Sequence, residues 1–243
     1  MTTIADLDRR FYPDHLDEHV RFDAIGSTLS PAASVLDAGA GRGLMFPYDY
    51  REHVRRMVGV DLDPAVAQNP NLGEAVVAEL SALPFRDGSF DLVFAKFVFE
   101  HLERPRAVMR ELRRVLRPGG HLLIHTPNRW HYVSLIAALT PMPVHRWCRA
   151  RLGWERGGTF RTRYRANDSK TITRLAARTG FSVRRLELVE GKPFYLAIHP
   201  LTYRAGIAYE RAVNRSPALG RFRANILGDL RAIGGGGAVG ATP

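Results

Sequence analysis

The stretch VLDAGAGRG, residues 35–43, joins the apolar end of a predicted strand to three glycines at alternating positions, Gly39, Gly41 and Gly43. Such a turn lets the backbone approach a ligand closely and open a helix whose N-terminus faces it. A dinucleotide-binding turn reads G-x-G-x-x-G, which would place its third glycine at position 44, where the sequence has Leu44. The spacing therefore argues against pyrophosphate binding and favours a nucleoside-like ligand across the strand ends.

Strand and helix patterns alternate after this turn. Apolar runs predict strands at residues 34–36, 56–60, 75–77, 90–95, 121–126, 181–189 and 222–233. Helical spacing predicts helices at residues 14–29, 103–117, 168–179 and 195–213, the third with Asp168 or Ser169 as its N-cap. This alternation predicts a parallel sheet with right-handed crossovers, and ligands at the carboxyl ends of its strands.

A second acidic motif, VGVDLDP at residues 58–64, follows the turn. Asp61, at the end of the second predicted strand, can accept hydrogen bonds from both hydroxyls of a ribose. Asp63 precedes Pro64 and is typical of a helix N-cap. We therefore expect a ribose contact at Asp61 and a capping role at Asp63.

The composition indicates a soluble globular protein, 45% hydrophobic and 24% charged, with a net charge of +11. That excess comes from arginines spread along the chain, so it favours a general attraction for anions over a specific nucleic-acid module. The polar N-terminus predicts no signal peptide, and no apolar run is long enough to span a membrane. The single cysteine, Cys148, excludes an internal disulfide and fits a cytoplasmic location.

Four motifs in order resemble the class I S-adenosylmethionine-dependent methyltransferases, in the small-molecule group that includes ubiquinone-biosynthesis enzymes. They are VLDAGAGRG, VGVDLDP, AELSALPFRDGSFDLVFAKFVFEHL and RELRRVLRPGGHLLIHTPN, and together they cover about residues 33–128. The resemblance implies an α/β, Rossmann-like, doubly wound and mostly parallel sheet of seven strands, with an antiparallel last strand and a lid insertion after strand 5. It also implies methyl transfer with S-adenosylmethionine as the cofactor.

The resemblance assigns cofactor contacts to four regions. Gly39, Ala40 and Gly41 would lie against the methionine and ribose, and Asp37 would help to organise the site. Asp61 would bind the ribose and Leu62 would pack beside the adenine. Glu79, where such proteins usually have aspartate, and the Leu80 N–H would contact the adenine edge, while Ala95 and Lys96 would line the methionine. The expected cofactor residues are thus Asp37, Gly39, Ala40, Gly41, Asp61, Leu62, Glu79, Leu80, Ala95 and Lys96.

Methyl transfer to a hydroxyl requires a base, and two histidines are candidates. His101, beyond the fourth strand, is the better placed, with a structural role as its alternative; His131 follows the fifth strand. His121 and His125 share a strand face, but with no nearby acid in the sequence we expect no metal site.

The segment 127–167 is rich in aromatic and arginine residues and is predicted to be a lid or substrate pocket. Its aromatic candidates for stacking on a substrate, or for packing within the lid, are Trp130, Tyr132, Trp147, Trp154 and Tyr164. Arg161, Arg163 and Arg165 alternate along it and fit either an anion site or a solvated face. The arginines would suit an anionic substrate, and the lid sequence resembles those of enzymes from glycan and secondary-metabolite pathways, which implies an acceptor of that kind.

The sequence therefore predicts a methyltransferase for a small molecule, most simply at a hydroxyl oxygen, with carbon or nitrogen open. Two alternatives are a nicotinamide-dependent oxidoreductase and a non-catalytic binding protein at an RNA or membrane surface. We expect an N-terminal helical cap at residues 1–32, the catalytic domain at 33–232 and a disordered tail at 233–243.

Overall fold

A computed structural model describes residues 3–13, 30–43, 49–139 and 161–234, with the side chains of 137–139 left out. The strands are β1 (Ser34–Ala38), β2 (Arg56–Asp61), β3 (Glu74–Val77), β4 (Phe90–Lys96), β5 (Leu116–Pro127), β6 (Phe181–Val189) and β7 (Asn225–Ala232). The α-helices are α1 (Ile4–Phe11), α2 (Pro105–Val115), α3 (Tyr132–Leu139), α4 (Ser169–Arg178) and α5 (Pro200–Arg215). Short 3₁₀ turns lie at Pro64–Gln68, Phe99–His101, Phe194–Leu196 and Gly220–Phe222.

The seven strands form one sheet in the order β3-β2-β1-β4-β5-β7-β6. The first five strands pair in parallel, with Val35 aligned to Met57 on one side and to Leu92 on the other. The apolar runs in β1, β2, β4 and β5 are buried, because packing on both faces of a parallel sheet excludes water from it, whereas the edge strand β3 is largely exposed. The carboxyl ends of β1, β2 and β4 consequently lie at one edge of the sheet.

The last strand, β7, runs antiparallel to both neighbours. Along β5, Gly119 lies near Arg231 and Ile124 lies near Gly228, so higher-numbered β5 residues lie beside lower-numbered β7 residues. Along β6, the Ser182 hydroxyl donates to the Arg231 carbonyl, and Leu186 lies beside Gly228. Higher-numbered residues of β6 therefore lie beside lower-numbered residues of β7, which is the antiparallel arrangement. The predicted α/β, Rossmann-like sheet with an antiparallel last strand is therefore confirmed. The predicted lid insertion has only its ends, 127–139 and 161–167, among the described residues.

Helix α2 forms where the sequence combines a helix start with a buried apolar face. Pro105 occupies the first turn, where its missing N–H costs no hydrogen bond. The side chains that α2 buries are Val108, Met109, Leu112 and Val115. Helix α4 begins at Ser169 because the Asp168 carboxylate accepts from the Thr171 N–H at 2.8 Å, so the predicted Asp168 cap is confirmed.

Helix α5 begins later than predicted. The sequence pattern suggested a helix from residue 195, whereas the structure has a 3₁₀ turn at Phe194–Leu196 and starts the α-helix at Pro200. His199 is the reason, since its imidazole accepts from the Leu201 N–H and caps the helix there. Proline at the first helical position fixes the same start.

The chain divides into two compact units: residues 1–25, 127–161 and 188–226 form the first, and 26–126, 162–187 and 227–243 the second. In the first unit, Leu7 of α1 packs against Tyr203 and Ile207 of α5. The Asp8 carboxylate joins the same helices, accepting from the Tyr203 hydroxyl at 2.8 Å and from the Lys192 ammonium at 2.9 Å. The second unit contains most of the sheet.

Several sequence predictions lie outside the described residues. They concern the helix at 14–29, the central part of the lid with Trp147, Cys148 and Trp154, and the tail from residue 235. The proposed cap, catalytic domain and tail therefore remain predictions.

Candidate functional site

The glycine turn after β1 has a backbone that only glycine accommodates at its key positions. Gly39, Gly41 and Gly43 have φ angles of +82°, +50° and +70°, a region that side chains disfavour. A Cβ on Gly39 would collide with Val98, and one on Gly43 would collide with the Asn69 amide. The turn therefore presents bare backbone at the end of β1.

Hydrogen bonds from β2 and from a neighbouring asparagine fix this turn. The N–H groups of Gly39 and Ala40 both donate to the Val60 carbonyl, at 2.7 and 3.1 Å. The buried Asn69 amide donates to the Ala40 and Gly41 carbonyls, at 3.0 and 3.3 Å. Sequence reasoning missed Asn69, and its partners 28 and 29 residues away explain why a local pattern does not reveal it.

Asp61, at the end of β2, contacts the turn directly. Its Oδ2 accepts from the Gly41 N–H and its Oδ1 from the Asp63 N–H, both at 2.9 Å. A carboxylate oxygen can accept two hydrogen bonds, so these two contacts use half of the group's capacity. Asp63 accepts from the Ala65 N–H at 2.9 Å, and its predicted capping role is confirmed.

The residues that follow β2 and β3 form the next part of this edge. Leu62 is 59% exposed beside the Asp61 carboxylate, whereas Leu80 is only 9% exposed. The Ala78 N–H donates to the Asp61 carbonyl at 3.1 Å, which ties the loop after β3 to the end of β2. Glu79 is exposed in that loop, and its Oε1 accepts from the Ser81 hydroxyl at 2.6 Å.

Asp37, Ala40 and Lys96 line one pocket beside the glycine turn, together with Tyr50 and Phe94. The Lys96 ammonium lies 5.9 Å from the centre of the Phe94 ring, which stacks on Tyr50 at 5.5 Å. Ala95, the preceding residue of β4, is fully buried. The structure thus brings the ends of β1 and β4 to the same pocket, as expected for a parallel sheet.

A buried carboxyl group follows β4. Glu100 lies in the 3₁₀ turn Phe99–His101, and its Oε2 accepts from the Thr126 hydroxyl at 3.1 Å. Burial raises the pKa of Glu100 to about 7, and the bond from Thr126 opposes that rise. The His101 Nε2 lies 3.9 Å from the Glu100 Oε1, and the imidazole is 30% exposed.

The segment with Arg163 and Tyr164 docks on this turn. Their N–H groups donate to the Glu100 carbonyl, at 2.5 and 3.1 Å. The Arg163 guanidinium pairs with the Glu103 carboxylate, and the Arg165 guanidinium donates to the Glu103 carbonyl at 2.6 Å. Arg163 therefore already has a carboxylate partner, which favours a structural role over the expected grip on an anionic substrate.

Trp130, His131 and Tyr132 belong to the first unit, whereas His101 belongs to the second. His131 is 4% exposed, its ring lies 4.2 Å from the Tyr132 ring, and its Nε2 lies 3.6 Å from the Glu190 Oε2. Burial lowers the pKa of His131 to about 4, so the ring is neutral at pH 7. An enclosed imidazole favours a packing role over catalysis.

The loop that carries Trp130 depends on Asn128, which sequence reasoning also missed. The Asn128 Oδ1 accepts from the Trp130 N–H, and its Nδ2 donates to the Arg221 and Arg223 carbonyls at 2.8 and 2.7 Å. Trp130 itself is 47% exposed. An asparagine directly after a strand is a local turn signal, but its distant partners are not visible in the sequence.

One prediction about the histidines was wrong. The sequence suggested no acid near His121, yet its Nδ1 lies 2.7 Å from the Asp229 Oδ1, because β7 inserts next to β5. Within the described residues, no group of three His, Cys, Asp or Glu side chains is placed to hold a metal ion. In the same part of the chain, no helix is long and apolar enough to cross a membrane.

Residues 36–124 match the family model described as a methyltransferase domain. The chain is 34% identical over 134 residues to a ubiquinone biosynthesis O-methyltransferase of Xanthomonas oryzae, covering 51% of this chain and 56% of that relative. It is 36% identical over 101 residues to a malonyl-[acyl-carrier protein] O-methyltransferase of Hahella chejuensis, covering 38% of this chain and 36% of that relative. The chain thus spans about half or less of the length of these relatives.

A solved structure shares the fold over nearly the whole chain. It belongs to the complex of the Haloferax volcanii Trm112 methyltransferase activator with a methyltransferase, and matches with a TM-score of 0.61, 19% identity and 96% coverage of both chains. At this identity the likeness shows the fold alone. The family model identifies residues 36–124 as a methyltransferase domain, and the solved structure adds that the fold is shared along nearly the whole chain.

Proposed function

We propose that this protein transfers the methyl group of S-adenosylmethionine to a small-molecule acceptor, at a hydroxyl oxygen. The observation that carries the proposal is the joint geometry of the glycine turn and Asp61. The carboxylate holds the Gly41 N–H and keeps half of its hydrogen-bonding capacity. The remaining acceptor positions of this carboxylate can bind ribose hydroxyls, and a glycine turn without side chains lets the ribose lie close to the backbone.

The residues at this edge fit the separate parts of the cofactor. Asp61 would accept from the ribose hydroxyls, and the exposed Leu62 would cover one face of the adenine. Glu79 and the Leu80 N–H would meet the adenine edge. Gly39, Ala40 and Gly41, with Asp37 and Lys96, would surround the amino-acid half, whereas Ala95 is fully buried and has no exposed surface for such a contact. When bound, S-adenosylmethionine supplies a methyl group activated by a positively charged sulfur.

His101 is the candidate that would accept the hydroxyl proton. Its imidazole lies just beyond β4 and is 30% exposed, so an acceptor can reach it. A neutral imidazole accepts a proton near neutral pH, and the protein otherwise needs to position the acceptor and exclude water. The curated relatives named above are O-methyltransferases, which supports oxygen as the atom methylated.

Two of the expected substrate-side residues already have partners or surroundings that favour a structural role. His131 is buried and neutral, and Arg163 is paired with Glu103. Trp130 retains an exposed ring, with the Arg129 guanidinium 5.3 Å from its centre, and Tyr132 and Tyr164 are half-buried. We therefore keep Trp130, Tyr132 and Tyr164 as candidate substrate contacts and give no preference to an anionic or glycan acceptor.

The test is methyl transfer from S-adenosylmethionine carrying a labelled methyl group. The purified protein is incubated with this cofactor and fractionated small-molecule extracts, and products that gain one labelled methyl are identified by mass spectrometry. We expect a product whose methyl carbon has the NMR shift of an O-methyl group. A labelled product with an N-methyl or C-methyl shift would contradict the oxygen assignment, and binding of NAD without binding of S-adenosylmethionine would contradict the reaction class.

A further inference from the structure

Glu100 is a buried acid that the cofactor site does not use. Its side chain is 6% exposed, and its Oε2 accepts from the Thr126 hydroxyl at the end of β5. The fully buried Asn167 amide donates in turn to the Thr126 Oγ1, at 2.7 Å. Burying a carboxyl group costs desolvation free energy. Because an ordered chain of donors nevertheless holds Glu100 in a buried position, we expect this side chain to have a function.

The other carboxyl oxygen of Glu100 faces the imidazole of His101. The Oε1 lies 3.9 Å from the His101 Nε2, which is beyond a hydrogen bond but within the range of an ion pair. The segments packed around Glu100 offer it a hydroxyl from Thr126 and the backbone N–H groups beside its carbonyl. Among the residues that the structure describes, His101 is a titratable side chain that lies next to this carboxyl.

The buried surroundings of Glu100 make its ionisation depend on whether the neighbouring His101 carries a proton. Water is excluded on the Glu100 side, so a carboxylate there attracts a neighbouring imidazolium more strongly than it would in water. Burial raises the pKa of Glu100, so this carboxyl exchanges its proton closer to neutral pH than an exposed glutamate does. A positive charge on His101 would favour its ionised form.

We propose that Glu100 is a positioning residue for His101, fixing the imidazole and stabilising the imidazolium that forms when His101 removes the acceptor proton. This rests on the proposed function. The acceptor O–H bond breaks and its proton moves to a nitrogen of neutral His101. The oxygen forms its bond to the methyl group as the methyl–sulfur bond breaks, and the sulfur takes that electron pair. Glu100, as a carboxylate, then faces a positive imidazolium, which later returns the proton to solvent.

A purely structural role is the competing explanation. The carbonyl of Glu100 and the chain through Thr126 to Asn167 also hold the segment 163–167 against the end of β5. Glu100→Gln separates the two roles, because a glutamine oxygen still accepts from Thr126 but carries no charge. Glu103→Gln is the matched control, since Glu103 holds the same segment through Arg163 yet is 62% exposed.

The first measurement is steady-state methyl transfer by the wild type and both variants across pH. For Glu100→Gln we expect kcat to fall at least tenfold, KM to change less than threefold, and the acid limb of the kcat profile to move to lower pH. The Glu103→Gln variant should keep a kcat within twofold of the wild type. A Glu100→Gln variant with wild-type kcat and pH profile would overturn the proposal.

The second measurement does not require activity, so it separates this proposal from the proposed function. The ring protons of His101 are titrated by NMR in the wild type and in Glu100→Gln. We expect two overlapping steps in the wild type, because the two groups share protons, and one step with a midpoint about one pH unit lower in the variant. Identical titrations would overturn the positioning role even if the wild type proves to be a methyltransferase.

If Glu100→Gln does not fold, Glu100→Asp takes its place. The shorter side chain keeps the charge but retracts the carboxylate from His101. We expect an intermediate kcat. The titration midpoint of His101 should lie between that of the wild type and the midpoint expected with an uncharged side chain at position 100. An aspartate variant with wild-type kcat and an unchanged midpoint would count against the proposal.

Discussion

Gly39 and Gly180 share a φ angle of +82° but differ in what surrounds them. A Cβ on Gly180 would meet the Arg113 side chain at 3.5 Å, an ordinary contact, whereas a Cβ on Gly39 would collide with Val98. We expect Gly180→Ala to lower the free energy of unfolding by about 1 kcal/mol through backbone strain alone. Gly39→Ala should lower it by about 1–3 kcal/mol more, since a packed neighbour must also move.

Urea unfolding of the two variants measures this difference, and calorimetry shows its effect on the cofactor. Gly39→Ala should lose affinity for S-adenosylmethionine because the turn presents its backbone to the ligand, while Gly180→Ala should bind as the wild type does. Equal destabilisation in both variants would mean that Val98 does not restrict the turn.

The sequence predicted some residues of the site and missed others, for a physical reason. Gly39 and Asp61 stand at the ends of strands, where local pattern and spacing are enough to suggest a ligand. Asn69 and Glu100 act through partners that chain order does not reveal, the Ala40 carbonyl and the Thr126 hydroxyl. Contacts of that kind depend on how crossovers bring distant segments together, so only the fold shows them.

At the scale of the elements, periodicity located the strands and helices better than their ends. β1, β4 and β7 follow the predicted apolar runs. Helix α5 begins at Pro200 rather than at residue 195, because His199 provides the cap. β7 lies next to β5, and this brings Asp229 next to His121. The apolar pattern of a strand does not reveal which strand becomes its neighbour in the sheet.

Arg114 of α2 fixes the loop between β3 and β4. Its guanidinium donates to the Phe85 and Leu83 carbonyls, at 2.7 and 3.0 Å, and pairs with Glu111 and Asp87, at 2.6 and 2.7 Å. A lysine ammonium cannot reproduce this planar fork. We expect Arg114→Lys to lower the free energy of unfolding by about 1–3 kcal/mol, measured by urea unfolding.

Arg110 provides the control on the same helix. Its side chain is exposed, so Arg110→Lys should change the free energy of unfolding by less than about 0.5 kcal/mol. Equal effects in the two variants would show that the contacts of Arg114 contribute nothing beyond its helical position.

For the whole molecule, which has a net charge of +11, several arginines hold the fold together. Arg113 donates to the Gly180 carbonyl, Arg117 pairs with Asp91 at 2.5 Å, and Arg56 pairs with Glu74 at 2.7 Å. Arg223 donates to the Leu188 carbonyl in the first unit. These guanidinium groups therefore have structural partners within the fold.

The most direct test of the account is the affinity of the protein for S-adenosylmethionine with and without the Asp61 carboxylate. Isothermal calorimetry compares the wild type, Asp61→Ala and Asp63→Ala, with circular dichroism to confirm that each is folded. Asp63→Ala removes a neighbouring acid that caps a turn, so it should lower thermal stability and leave the affinity unchanged. Asp61→Ala should bind at least tenfold more weakly, about 1.4 kcal/mol, because it loses charge-assisted hydrogen bonds to the ribose. A folded Asp61→Ala variant with wild-type affinity would contradict the account.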